Sequence, residues 1–232
     1  MLRGVLRWSW RLVLLALIAL VLVQFWFAMH VWYWSRNNPQ MTAFMQQRLE
    51  ILREDNPHAS LRHQWVPYNR ISAHLKRAVV VAEDAKFLDH RGFDWEAIQK
   101  AYERNLQEGE VVSGASTISQ QLAKNLFLSS HRSWWRKAQE AVITVMIETF
   151  MSKRRILEIY LNVIEWGEGV FGAEAAARYH YGMGASALSP PQAARLAAMV
   201  PSPRRYTPGR NTPYLQRRTE TLLARMPGAR IP

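Results

Sequence analysis

The chain has 232 residues, 49% of them apolar, with 30 Lys+Arg against 18 Asp+Glu and a formal charge of +12. This composition suits one mid-sized domain plus an anchor and excludes a disordered or fibrous chain. The absence of Cys removes disulfides, thiolate metal sites and a cysteine nucleophile, while the positive excess points to an anionic partner such as nucleic acid, an acidic membrane or a phosphate-bearing substrate.

Leu12 to Trp34 is an uncharged, largely apolar run. At about 1.5 Å per helical residue it crosses a roughly 30 Å hydrocarbon layer. Arg3, Arg7 and Arg11 precede it without an acid, which places residues 1–11 in the cytoplasm and everything after Arg36 outside. The bulky Gln24 to Trp34 stretch offers no small-residue cleavage site, so 12–34 reads as a retained transmembrane helix. Residues 35–66 read as an exit segment and connector, and 67–232 as one extramembrane domain.

That domain reads as all-α. A short helix is expected over Met41 to Arg53, then helices over Ser72 to Asp84, with Leu75, Val79 and Ala82 as its apolar stripe, and Asp94 to Leu106, with Ile98, Ala101 and Tyr102. Both are expected to pack on a common core. Thr117 and Gln120 form a capping-box pattern ahead of a helix through Leu126; Ser133 starts one ending near Phe150, and Ser152 caps Lys153 to Ile164. Phe171 to Tyr179 follows, then a helix opened by Ser189-Pro190-Pro191-Gln192 and a last one over Thr212 to Met226, before a fraying PGARIP tail. No internal repeat or alternating strand series is visible.

Two acidic positions stand out. Glu83 and Asp84 follow an apolar helix, where partial burial and the adjacent like charge favour protonation of one carboxylate. Glu140 and Glu148 share a broad face of an unusually apolar helix, so either needs a compensating base such as Arg136. A solvated acid pair at a helix end is the competing reading of Glu83 and Asp84, and a structural ion pair that of Glu140. Two acids can divide glycosyl-transfer chemistry, one deprotonating an attacking hydroxyl while the other assists departure. Lys124, Arg136 and Lys137 could neutralise a departing diphosphate.

Glu83-Asp84-Ala85-Lys86-Phe87-Leu88-Asp89-His90-Arg91-Gly92 resembles the first signature of the peptidoglycan glycosyltransferases. The others arrive in order: Gly114 through Asn125 resembles the donor-side segment, Arg136-Lys137-Ala138-Gln139-Glu140 the second acidic motif, and Arg154 through Asn162 the fourth. A single membrane helix and a short tail are similar to the monofunctional, biosynthetic branch of that family. No Ser is followed three positions later by Lys, so the transpeptidase nucleophile motif of bifunctional relatives is absent.

The resemblance implies a lysozyme-like helical fold with a cleft for lipid-linked disaccharides, in a bacterial inner-membrane protein whose catalytic domain is periplasmic. It implies polymerisation of lipid II onto a lipid-linked growing chain. Glu83 is the general base on the sugar 4-hydroxyl, and Glu140 assists at the donor diphosphate through a divalent cation (Mg or Mn) or basic neighbours. The product is a β-1,4 bond, formed with inversion and loss of undecaprenyl diphosphate. Lys124, Arg136 and Lys137 would hold phosphate oxygens; Ser116, Thr117, Gln120 and Gln121 would align sugar or diphosphate; Asp84, His90 and Asn162 would contact substrate or shape the cleft. Cell-wall synthesis or division proteins are the expected protein partners, and the outside location argues against nucleic acid. The later Arg178-Tyr179-His180-Tyr181-Gly182-Met183 departs from the commoner family pattern near His180 and lacks a lysine near Met183. A lysozyme-like glycosidase and a non-catalytic precursor-binding protein are the competing functions.

Overall fold

A computed structural model describes residues 2–109, 114–128 and 133–232. Helix α1 (Leu2–Trp34) starts well before the apolar run, because nothing between Leu2 and Arg11 breaks a helix. Its Trp10–Trp34 portion is long and apolar enough to cross a membrane. Up to Val23 its described side chains are exposed. From there on Gln24, Phe27, Ala28, Val31 and Trp34 are sheltered, a stripe at three- and four-residue spacing that packs on the rest of the protein.

Ten helices are described. After α1 come α2 (Ala43–Asp55), α3 (Ala73–Glu83), α4 (Trp95–Glu108), α5 (Ile118–Phe127) and α6 (Trp134–Phe150). Then follow α7 (Lys153–Val163), α8 (Ala173–Tyr181), α9 (Pro190–Met199) and α10 (Pro213–Arg225). Small polar residues set their starts. Thr42, Ser72, Asp94, Thr117, Ser133, Ser152 and Thr212 each accept a backbone N–H of the first turn. At α5 the expected capping box is complete: Gln120 N donates to Thr117 Oγ1 at 3.3 Å while Gln120 Oε1 receives Thr117 N at 3.0 Å.

The core forms around α7, where seven of eleven residues are buried. Helix α5 packs between it and α6, and α9 packs on α3 and α10. Leu122, Ile143, Ile147, Ile159 and Leu196 are fully buried there.

Three details differ from the sequence reading. A small sheet forms, with β1 (Arg62–His63) parallel to β3 (Val170–Phe171), which pairs antiparallel with β2 (Glu165–Gly167). Strands of two or three residues carry no readable alternation, and the turn into α8 depends on Gly172 at φ +84°, where a Cβ would lie 2.7 Å from the Asn162 carbonyl. Helix α4 is amphipathic yet buries none of its residues, with Tyr102 64% exposed; its stripe does not join the core. The tail does not fray. Met226 is buried, Tyr68 Oη donates to the Pro232 carbonyl at 2.6 Å, and Arg230 holds Asp89 through both carboxylate oxygens.

Candidate active site

The end of α3, one face of α5, the start of α6, Tyr160 of α7 and the Val200–Arg205 segment after α9 surround a cleft of about 680 Å³. Of the sequence-predicted residues it gathers Glu83, Ser116, Gln120, Gln121, Lys124, Arg136, Lys137 and Glu140. The segments carrying them lie up to 57 positions apart, so only packing of α3, α5 and α6 makes them neighbours.

Glu83 is the last residue of α3, and its side chain is only 10% exposed. Oε2 accepts a hydrogen bond from Gln121 Nε2 at 2.9 Å; Oε1 is buried with no hydrogen-bond partner among the described residues, and Arg218 Nη2 lies 3.8 Å from it. Burial pushes the Glu83 carboxyl above the ordinary carboxylate range. The Gln121 bond and Arg218 pull the other way, and Asp84 adds to the rise.

Tyr160 explains which way Gln121 points. This fully buried phenol, its pKa pushed well up by burial and by Glu83 and Asp84, keeps its proton and donates to Gln121 Oε1 at 2.7 Å. With its oxygen so engaged, Gln121 turns its NH₂ to Glu83. On the same side chain's backbone, Asn125 Nδ2 donates to the Gln121 carbonyl at 2.7 Å.

Asp84, one residue on, has a different task. Oδ2 receives Ile118 N–H at 3.0 Å, at the start of α5, and Oδ1 pairs with His90 Nε2 at 2.9 Å. His90 Nδ1 in turn accepts Gly92 N–H at 3.2 Å, which leaves the proton on Nε2, facing Asp84. The anionic side chain thus docks the end of α3 on the N-terminus of α5, where a helix favours negative charge. Thr117 caps α5 and donates to the Gly92 carbonyl at 2.7 Å. Asp84 and Thr117 border a smaller cavity of about 260 Å³ beside Ser116.

Asn162 lies apart from the other residues expected to contact substrate. It is fully buried outside the cleft, accepting Val66 N–H and donating to the Val66 and Glu158 carbonyls, each at 2.9 Å. Its oxygen and its amide group both engage Val66, holding the segment before α3 to α7.

The two acids of α6 separate sharply. Glu148 accepts from Ser119 Oγ and from Lys153 Nζ, locking α5, α6 and α7 together away from the cleft. Glu140 lines the cleft, is 3% exposed, and has each oxygen taken by a cation: Arg136 Nη1 at 3.0 Å on Oε2, and Lys137 Nζ on Oε1. A divalent ion at Glu140 would therefore compete with Arg136 and Lys137 for the same two oxygens. No group of three or more His or carboxylate side chains suited to a metal occurs among the described residues.

Several lining residues had no role in the sequence reading. Glu165 of β2 lies between Arg48 Nε at 3.4 Å and Arg204 Nε at 3.8 Å; burial raises its carboxyl and the two arginines oppose the rise. Tyr160 stood within a quoted signature, but nothing local distinguishes a core tyrosine from one oriented on a glutamine. Arg218, on α10 and outside the cleft lining, reaches Glu83 from behind and carried no local signal at all.

The family model described as transglycosylase matches residues 50–227. Over 226 residues the chain is 62% identical to a biosynthetic peptidoglycan transglycosylase of Nitrosospira multiformis, covering 97% of this chain and 98% of that one. It is 61% identical to the protein of that name from Methylobacillus flagellatus, over 96% and 97% of the two chains, and 54% identical to that of Herminiimonas arsenicoxydans, over 100% and 99%. A cleft with one buried, half-engaged glutamate facing a cationic wall thus occurs in a chain aligned end to end with these relatives, and the chain belongs to the biosynthetic peptidoglycan transglycosylase family.

Proposed function

We propose that the protein polymerises lipid II into β-1,4-linked glycan, anchored by α1 with its N-terminus cytoplasmic. The observation that carries the reading is one cleft holding both halves of the chemistry. Glu83 has a buried oxygen without a hydrogen-bond partner, and Lys124, Arg136 and Lys137 line the same space. The 4-hydroxyl of the incoming lipid II attacks C1 of the lipid-linked chain, and its proton passes to Glu83. The bond from C1 to the diphosphate oxygen breaks, and the departing negative charge is met by the three cations. Attack opposite the leaving group inverts C1.

A carboxyl raised by burial suits this step, because a base works best with a pKa close to the working pH. Glu140 pairs with both Arg136 and Lys137 and so fixes them at the leaving-group side. Trp134 and Trp135, at the start of α6, are 89% and 87% exposed. Beside an apolar α1 they suit the lipid layer, which brings the cationic wall to the level of a lipid diphosphate.

Full-length protein reconstituted with lipid II tests the reading by product size. Long glycan is expected from wild type and none from Glu83→Gln. Shortened sugar chains from a preformed polymer would instead mark a hydrolase, and binding without turnover a precursor-binding protein.

A further inference from the structure

The membrane helix does more than tether. Gln24 sits in the middle of the apolar run, yet it is sheltered, and it forms a reciprocal amide pair with Gln139 of α6: Gln24 Nε2 donates to Gln139 Oε1 at 2.9 Å, and Gln139 Nε2 to Gln24 Oε1 at 3.0 Å. Ten residues on, at the outer end of α1, the Arg155 guanidinium takes the Trp34 carbonyl at 3.0 and 3.1 Å and the Asn37 carbonyl at 2.6 Å. These two fixed points are about 15 Å apart along the helix. Between them Phe127, at the end of α5, packs edge-on to Phe27 and against Trp34, with ring centres 5.2 and 5.0 Å away. Gln139 precedes Glu140 by one residue and follows Arg136 by three, and Phe127 lies one turn beyond Lys124.

We infer that Gln24 is a positioning residue: its amide pair with Gln139 fixes the rotation of α6 that turns Arg136, Lys137 and Glu140 into the cleft. On an otherwise apolar helix an amide has few other partners, so the pair specifies one register between α1 and α6. The Arg155 clamp removes the remaining freedom to pivot. The catalytic half of this inference rests on the polymerase reading above; the pairing itself does not.

The test uses full-length protein in phosphatidylethanolamine and phosphatidylglycerol nanodiscs, with lipid II as substrate. Gln24→Leu and Gln139→Leu are each expected to lower kcat about 3- to 10-fold with KM little changed. The double variant leaves no amide unpaired, so its melting temperature returns towards wild type while kcat stays low, because two leucines do not set a register. The chain has no cysteine, so Gln24→Cys with Gln139→Cys reports on this pair alone. A bifunctional thiol reagent spanning one glutamine pair is expected to join them and to raise kcat over the unlinked form. Wild-type kcat in either leucine variant overturns the inference. So does kcat that merely tracks melting temperature across the set, or failure of the cysteines to cross-link. Cross-linking of the cysteine pair together with a wild type that makes no polymer overturns the polymerase reading instead.

Discussion

Two glutamates face the same cleft and are treated in opposite ways. Glu83 is buried against a neutral amide that a tyrosine orients, with one oxygen lacking a hydrogen bond and a lone guanidinium 3.8 Å away. Glu140 is more buried still, and each of its oxygens is held by a cation, Arg136 or Lys137. Burial alone therefore does not decide what a carboxylate does. Burial with one neutral hydrogen-bond donor raises the proton affinity of Glu83 and leaves a lone pair available, whereas two cations occupy both oxygens of Glu140, which organises them in turn.

The comparison breaks first at Glu83→Gln. Removing a general base lowers turnover by about 10²- to 10⁴-fold, measured as glycan made from lipid II. Loss of less than tenfold would reassign the proton acceptor. Glu140→Gln is expected to act differently, lowering kcat by about 10²-fold through misplaced cations, with KM not raised, because the cleft gains net positive charge. A rise in KM with kcat intact would mean that Glu140 serves binding alone.

Smaller effects sharpen the contrast. The Gln121 hydrogen bond holds the Glu83 pKa down, so Gln121→Ala should move the acid limb of the kcat/KM profile to higher pH. Tyr160→Phe frees the Gln121 amide and should shift that limb the same way, by less. An unmoved limb in both would show that a different group controls it.

Stability gives the least conspicuous readout. For an acid whose folded pKa lies above its unfolded value, the unfolded state loses its proton first. Folding therefore becomes less favourable as pH rises from the unfolded pKa through the folded one. Glu83→Gln should then melt a few degrees above wild type at pH 7 to 8, and the gap should close below the ordinary carboxylate pKa. A Gln variant less stable at neutral pH would contradict the burial argument.

Legibility followed the range of the interaction concerned. Helix starts at Thr117, Ser133, Ser152 and Thr212 were readable because a cap is a bond between residues two or three apart. The stripe on α4 misled, because amphipathic spacing shows that a face is apolar and says nothing about what covers it. The sheet escaped notice since strands of two or three residues span barely one alternation, and β1 pairs with β3 across about a hundred residues. Asn162 was grouped with substrate contacts on its place in a family signature, while its surroundings show a buried clamp.

The order of amino acids by itself determined the apolar span, the all-helical main architecture, the positive charge and the two acidic segments, all of which depend on composition or on neighbours within a few turns. Tertiary structure alone decided that Glu83 keeps an oxygen without a hydrogen bond while Glu140 keeps none, that Tyr160 aims Gln121, and that Gln24 meets Gln139. Those outcomes depend on which helix faces pack together, and packing joins residues as far apart in the chain as Gln24 and Gln139, 115 positions.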